Sequence, residues 1–181
     1  MTDKDQIEIP LSKRKLYLML SGCLLFVGMG IWLVVNPPKS NHVIFGNPVF
    51  LLVTGIVAIL FFGGIGVFLL RKLPDSKPGL IIHSEGITDN SSGIAAGLVL
   101  WKDIVEIVTI NVENQNFILF VVRNPEEYIS RQSGIFKRKA MEVNYRSYGS
   151  PISISANTLH TNFDELYQLL QSKFAAYKAK S

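Results

Sequence analysis

Two unbroken apolar runs organise the first part of the chain. Leu16 to Val35 and Val49 to Leu70 carry no charged side chain. About twenty helical residues at roughly 1.5 Å each cross a hydrocarbon core of about 30 Å, so each run predicts a spanning helix. The segment between them, residues 36–48, is rich in Asn, Pro and Gly and predicts a turn that leaves the helices as antiparallel neighbours. A cleavable signal peptide would have a shorter apolar core and end at a small-x-small site, which Asn36, Pro37, Pro38 and Lys39 do not provide.

Beyond a linker at residues 71–78 the pattern changes to short alternating runs. Gly79 to His83, Ile87 to Asp89, Leu98 to Trp101, Ile104 to Asn111, Asn116 to Arg123 and Pro151 to Ser155 read as strands rich in Val, Ile, Phe and Thr. Ser84-Glu85-Gly86 is expected to close the first hairpin, with Gly86 supplying a positive φ. A final helix starts near Thr161 or Asn162, where Glu165 completes a capping box. Its stripe of Phe163, Leu166, Leu170 and Phe174 needs a sheet or barrel to cover. Between the strands, residues 125–148 form a basic insertion. Pro125, Glu126 and Glu127 predict a short helix to about Gln132, and a second helical turn is expected around Lys137 to Val143.

The predicted organisation is therefore a cytoplasmic segment 1–15, spans at 16–35 and 49–70, an outer loop 36–48, a linker 71–78 and a soluble α+β domain at 79–181. Charge sets the orientation. Lys13, Arg14 and Lys15 precede the first span and Arg71 and Lys72 follow the second, while the loop holds only Lys39, which predicts both termini in the cytoplasm. Trp32 suits an interfacial aromatic. Seven glycines, Gly22, Gly28 and Gly30 in the first run and Gly55, Gly63, Gly64 and Gly66 in the second, allow close packing of the hairpin or of two copies. Neither span contains an ionisable residue, which argues against a proton or ion path and for an anchor.

The net charge of +4 does not by itself point to nucleic acid, because much of it flanks the apolar runs. The single cysteine, Cys23, lies inside the first run and excludes an internal disulfide. His42, His83 and His160 lack ligand spacing, Ser91-Ser92-Gly93 lacks a nucleophile elbow, and adjacent Glu126 and Glu127 make a poor acid/base pair. No catalytic, cofactor or metal site is expected. The candidate contact residues are Arg131, Lys137, Arg138, Lys139 and Arg146, a cationic group suited to anionic lipid or a partner. Trp101, Lys102 and Asp103 predict a packed aromatic followed by an Asp-stabilised bend, with peptide docking on a nearby strand edge as the alternative.

The stretches GLIIHSEGITDNSSG, LVLWKDIVEI, FILFVVRNPEEYI, SPISISANTL and FDELYQLLQSKF, together with Ile9-Pro10-Leu11-Ser12, resemble an uncharacterised bacterial family of two-helix membrane proteins. The resemblance runs from Ile9 to Phe174. It implies a pleckstrin-homology-like (PH-like) domain, a partly open antiparallel β-barrel plugged by a C-terminal helix, held at the inner (plasma) membrane. The resulting expectation is a non-enzymatic scaffold that binds a protein partner, a second copy of itself or the lipid surface. A lipid-sensing module and an accessory subunit of a membrane enzyme are the alternatives.

Overall fold

The structure is a computed structural model that describes residues 6–38 and 47–180. It divides into two units, one comprising Lys13–Ser76 and the other Met1–Ser12 with Lys77–Ser181. The first is a helical hairpin of α1 (Lys13–Val35) and α2 (Pro48–Lys72), both long and apolar enough to cross a membrane. Asn47 starts α2 by accepting hydrogen bonds from the amides of Val49 (3.0 Å) and Phe50 (3.3 Å), and Pro48 follows where a missing N–H costs nothing. The expected turn at residues 39–46 lies outside the described residues.

The helices run antiparallel, and their contacts count up along α1 as they count down along α2. Cys23 meets Gly66, Phe26 stacks on Phe62 with centroids 4.3 Å apart, and Gly30 meets Gly55. At this last crossing a Cβ on Gly30 would stand 2.9 Å from the Gly55 carbonyl oxygen, and one on Gly55 would stand 2.8 Å from that of Gly30. Only glycine lets the two backbones approach so closely. Gly22, Gly28, Gly63 and Gly64 have no such neighbour, so hairpin packing uses three of the seven glycines.

The second unit holds seven strands and three helices among the described residues. A four-stranded antiparallel sheet has the order β1 (Ile7–Ile9), β2 (Leu80–Ile82), β3 (Gly86–Asp89) and β4 (Gly97–Leu100). A three-stranded one has the order β5 (Ile104–Val112), β6 (Gln115–Val122) and β7 (Ile152–Ile154). Where a partly open barrel was expected, the strands form two antiparallel sheets, neither closed into a barrel. They share one core, in which Leu80, Ile82, Ile87 and Val99 of the first meet Ile107, Ile118, Phe120 and Ile154 of the second.

Residues 6–12, expected as part of a cytoplasmic tail, instead belong to this fold. Ile7 pairs with Ile82 and Ile9 with Leu80, so the helical hairpin is inserted in the sequence between two neighbouring strands. Leu11 bridges to Leu159, and the Ser12 amide donates to the Thr158 carbonyl at 2.8 Å.

Gly86 does not supply the expected positive φ. It opens β3, and a Cβ there would collide with the Val99 carbonyl oxygen. Glycine is required for close strand approach, not for a turn. The positive φ values that do shape a hairpin are at Glu113 (48°) and Asn114 (61°), a two-residue turn joining β5 and β6.

The insertion folds as α3 (Pro125–Ser130) and α4 (Ile135–Tyr148), the latter longer than expected and ended by Gly149 in the left-handed region (φ 77°). The last helix, α5 (Phe163–Lys178), begins at Asn162, whose side chain accepts from the Glu165 amide at 2.9 Å. Thr161 contributes by donating its hydroxyl to the Glu165 carboxylate at 3.3 Å. Leu166, Leu170 and Phe174 are buried in the shared core. Each such side chain contributes about 1.5–3 kcal/mol of apolar burial.

Candidate functional site

The five candidate cations have different surroundings. Arg131 lies 4.1 Å over the Tyr128 ring and donates to the carbonyls of Ala96 (3.1 Å) and Leu98, so it ties α3 to β4 and the loop before it. Arg138 donates its Nε to the Gln132 carbonyl at 2.8 Å, closing the turn between α3 and α4. Lys137 is half-buried, and its charge acts on the buried Asp89. Lys139 and Arg146 are exposed and have no hydrogen-bond or ion-pair partner among the described residues. Three of the cations thus face inward duties, and two remain available to a ligand.

Trp101 and Asp103 sit at a corner. A 3-10 turn at Trp101–Asp103 joins β4 to β5, with the Trp101 ring in the core and its Nε1 donating to the His83 carbonyl at 2.9 Å. Asp103 accepts a 2.7 Å hydrogen bond from the hydroxyl of Tyr128, which in turn accepts from the Leu100 amide at 3.2 Å. Burial and the Asp103 carboxylate push the Tyr128 phenol up to about 12. The corner is a structural clasp, in which the Asp103 carboxylate holds the hydroxyl of Tyr128 rather than the backbone of the expected bend. No local spacing in the sequence marks Tyr128, because its partner is twenty-five residues away.

Asp89 is buried and organises the loop after β3. Its carboxylate accepts from the Ser91 amide (2.9 Å), the Ser91 hydroxyl (2.6 Å) and the Ala96 amide (3.1 Å). Burial raises its pKa above the ordinary carboxylate value, while these hydrogen bonds and Lys137 pull the other way. Ser91, the first residue of the Ser91-Ser92-Gly93 stretch, therefore belongs to a loop clasp. His83 reaches Thr88 at 3.3 Å, and no group of three or more metal-ligating side chains occurs among the described residues.

An open groove lies at a strand edge. Among the described residues, β5 ends its sheet and pairs on one side only, with β6. The two-residue turn makes Val112 and Gln115 a hydrogen-bonded pair, so alternation directs the main-chain groups of Ile107, Thr109 and Asn111 away from β6. Gln171 of α5 confirms this direction by donating to the Ile107 carbonyl at 2.8 Å, and Lys178 reaches the Val105 carbonyl at 3.4 Å. Between this edge and α5 runs an open groove of about 540 Å³, with Thr109 on one wall and Tyr167, Gln171 and Ala175 on the other.

Comparison of the chain with protein-family models, with curated proteins and with solved structures yields no match.

Proposed function

We propose that the chain is a non-catalytic, membrane-anchored binding protein. The hairpin holds a PH-like domain at the cytoplasmic face of the inner membrane, and the domain receives an extended segment of a protein partner along β5. The observation that carries this reading is the open edge of β5 beside α5: outward main-chain groups at Thr109 and Asn111, and a groove alongside for alternate side chains. An added strand gains main-chain hydrogen bonds from such an edge and specificity from the groove.

Pairing of Ile7–Ile9 with Leu80–Ile82 supports the same-side topology. Strands on opposite faces of a bilayer cannot pair, so this pairing favours a reading in which the residues before α1 and after α2 share a compartment. Lys13, Arg14, Lys15, Arg71 and Lys72 then favour the cytoplasm. The antiparallel strands packed on a C-terminal helix support the PH-like assignment.

A photoactivatable crosslinker at Thr109 in native membranes tests the docking edge. A discrete adduct is expected, and Ala175→Trp, which fills the groove from an exposed helix position, should remove it. An adduct pattern indifferent to Ala175→Trp would sink the reading. For topology, a reporter active only outside the cytoplasm should stay silent when fused to the C-terminus.

A further inference from the structure

Among the described residues outside α1 and α2, the exposed large apolar ones are Leu98, Val105, Ile135, Phe136, Val143, Tyr145 and Tyr148, five of which belong to α4. The two most exposed are adjacent, Ile135 at 76% and Phe136 at 82%, at the start of that helix. Val143, at 59%, stands two turns beyond Phe136 on the same side. Lys139 falls between them, three residues after Phe136 and four before Val143, and Arg146 follows three residues after Val143. The opposite side of the helix carries the buried Met141. Thus α4 presents an outer strip on which three apolar side chains alternate with the two unpartnered cations, and Glu142 borders the strip.

We infer that this strip of α4 docks on an anionic phospholipid surface, with Ile135, Phe136 and Val143 entering the headgroup boundary and Lys139 and Arg146 meeting lipid phosphates. An exposed apolar face flanked by cations is the pattern of a helix that lies in a bilayer interface. Long cationic side chains keep their stems on the apolar surface and their heads in the polar layer. Water leaves such a face unsatisfied, and a protein surface would have to supply both apolar and acidic chemistry, whereas an anionic bilayer supplies both everywhere. The chain supplies proximity too. The domain joins α1 directly at Ser12–Lys13 and joins α2 through residues 73–76, so a weak surface acts at high effective concentration. The inference rests on the membrane-anchor reading and is independent of docking at β5.

The test uses the full chain in lipid nanodiscs, on a Cys23→Ala background, with an environment-sensitive fluorophore on a single introduced cysteine. Leu24→Cys reports the anchor, Phe136→Cys the strip, and Asn114→Cys the tip of the β5–β6 hairpin. In discs with about one-third phosphatidylglycerol, the probes at positions 24 and 136 should be quenched by lipid-borne nitroxide, and the probe at 114 by aqueous iodide. In pure phosphatidylcholine discs, or with Lys139→Glu and Arg146→Glu together, lipid quenching at 136 should fall at least about fivefold. Both residues are exposed, and the fluorescence of Trp101 in the core, read on a Trp32→Phe background, reports whether the double variant keeps its fold. A position-136 probe open to iodide in both disc types, beside a shielded position 24, would overturn the inference and leave the anchor standing. Exposure of position 24 to iodide would overturn the anchor itself. Shielding at 136 without lipid quenching would mean a protein surface covers the strip, which also refutes the inference.

Discussion

Replacing Gly30 or Gly55 by alanine should loosen the helical hairpin, although alanine is the better helix former. The added methyl at Gly30 would meet the Gly55 carbonyl oxygen at 2.9 Å, Ile59 Cγ1 at 3.0 Å and Ala58 Cβ at 3.3 Å. At Gly55 it would meet the Gly30 carbonyl oxygen and Val34 Cγ2, both at 2.8 Å. Ordinary carbon contacts lie at about 3.5–4.0 Å, so the helices must part by roughly 0.5–1 Å, and no rotamer change moves a backbone carbonyl. A gap of that size forfeits about a quarter to a half of the dispersion attraction of each pair along the crossing. Overpacking of this kind costs about 1–3 kcal/mol, against about 1 kcal/mol regained from helix propensity. The net expectation is a loss of up to about 2 kcal/mol at either position. Gly22, Gly28, Gly63 and Gly64 have open space where the methyl would go, so alanine there should leave stability unchanged or raise it by up to about 1 kcal/mol. The contrast in sign is the test. Sodium dodecyl sulfate titration of the full chain in mixed micelles, followed through Trp32 fluorescence on a Trp101→Phe background, gives the midpoints. If all six alanine variants shift the midpoint alike, the Gly30–Gly55 crossing does not hold the hairpin together.

Three further outcomes follow from the mixed α/β unit, each read from thermal or denaturant unfolding through Trp101 on a Trp32→Phe background. Tyr128→Phe strands the Asp103 carboxylate and the Leu100 amide and should cost about 1–3 kcal/mol. The raised pKa of Tyr128 favours the folded state fully below the ordinary value of 10.0, and this contribution is lost as pH rises towards about 12. The phenylalanine variant should lack that alkaline decline. The raised pKa of Asp89 likewise gives a contribution present below its ordinary value of 3.8 and lost as pH rises through the folded-state value. Asp89→Asn should therefore differ from the parent by a gap that varies with pH above about 4, and a constant gap would contradict the buried carboxylate. Gly86→Ala should force β3 from β4 at the Val99 carbonyl and cost about 1–3 kcal/mol or more, whereas a neutral effect would contradict the close approach.

The division of this chain into an apolar hairpin and a mixed domain was legible in sequence, because hydrophobic runs and their charged flanks are local properties. The same holds for α5, whose Asn162 cap and Leu166-Leu170-Phe174 stripe need only neighbours within a few turns. Strand positions were legible to within a residue or two, since alternation is local as well. Partnership between distant segments was not. Ile7–Ile9 is too short to announce a strand, and it is one only because Leu80–Ile82 lies beside it. Gly86 carries the same residue name whether it turns a chain or admits a neighbouring carbonyl, and only the nearness of Val99 distinguishes the two. The basic insertion was visible as five cations, but which of them remain free depended on where the carbonyls of Ala96, Leu98 and Gln132 came to rest. Likewise, the order in which strands pair leaves β5 at an edge facing α5. Local pattern determined what each segment is, and tertiary pairing decided which surfaces are used up in holding the fold and which are left to bind.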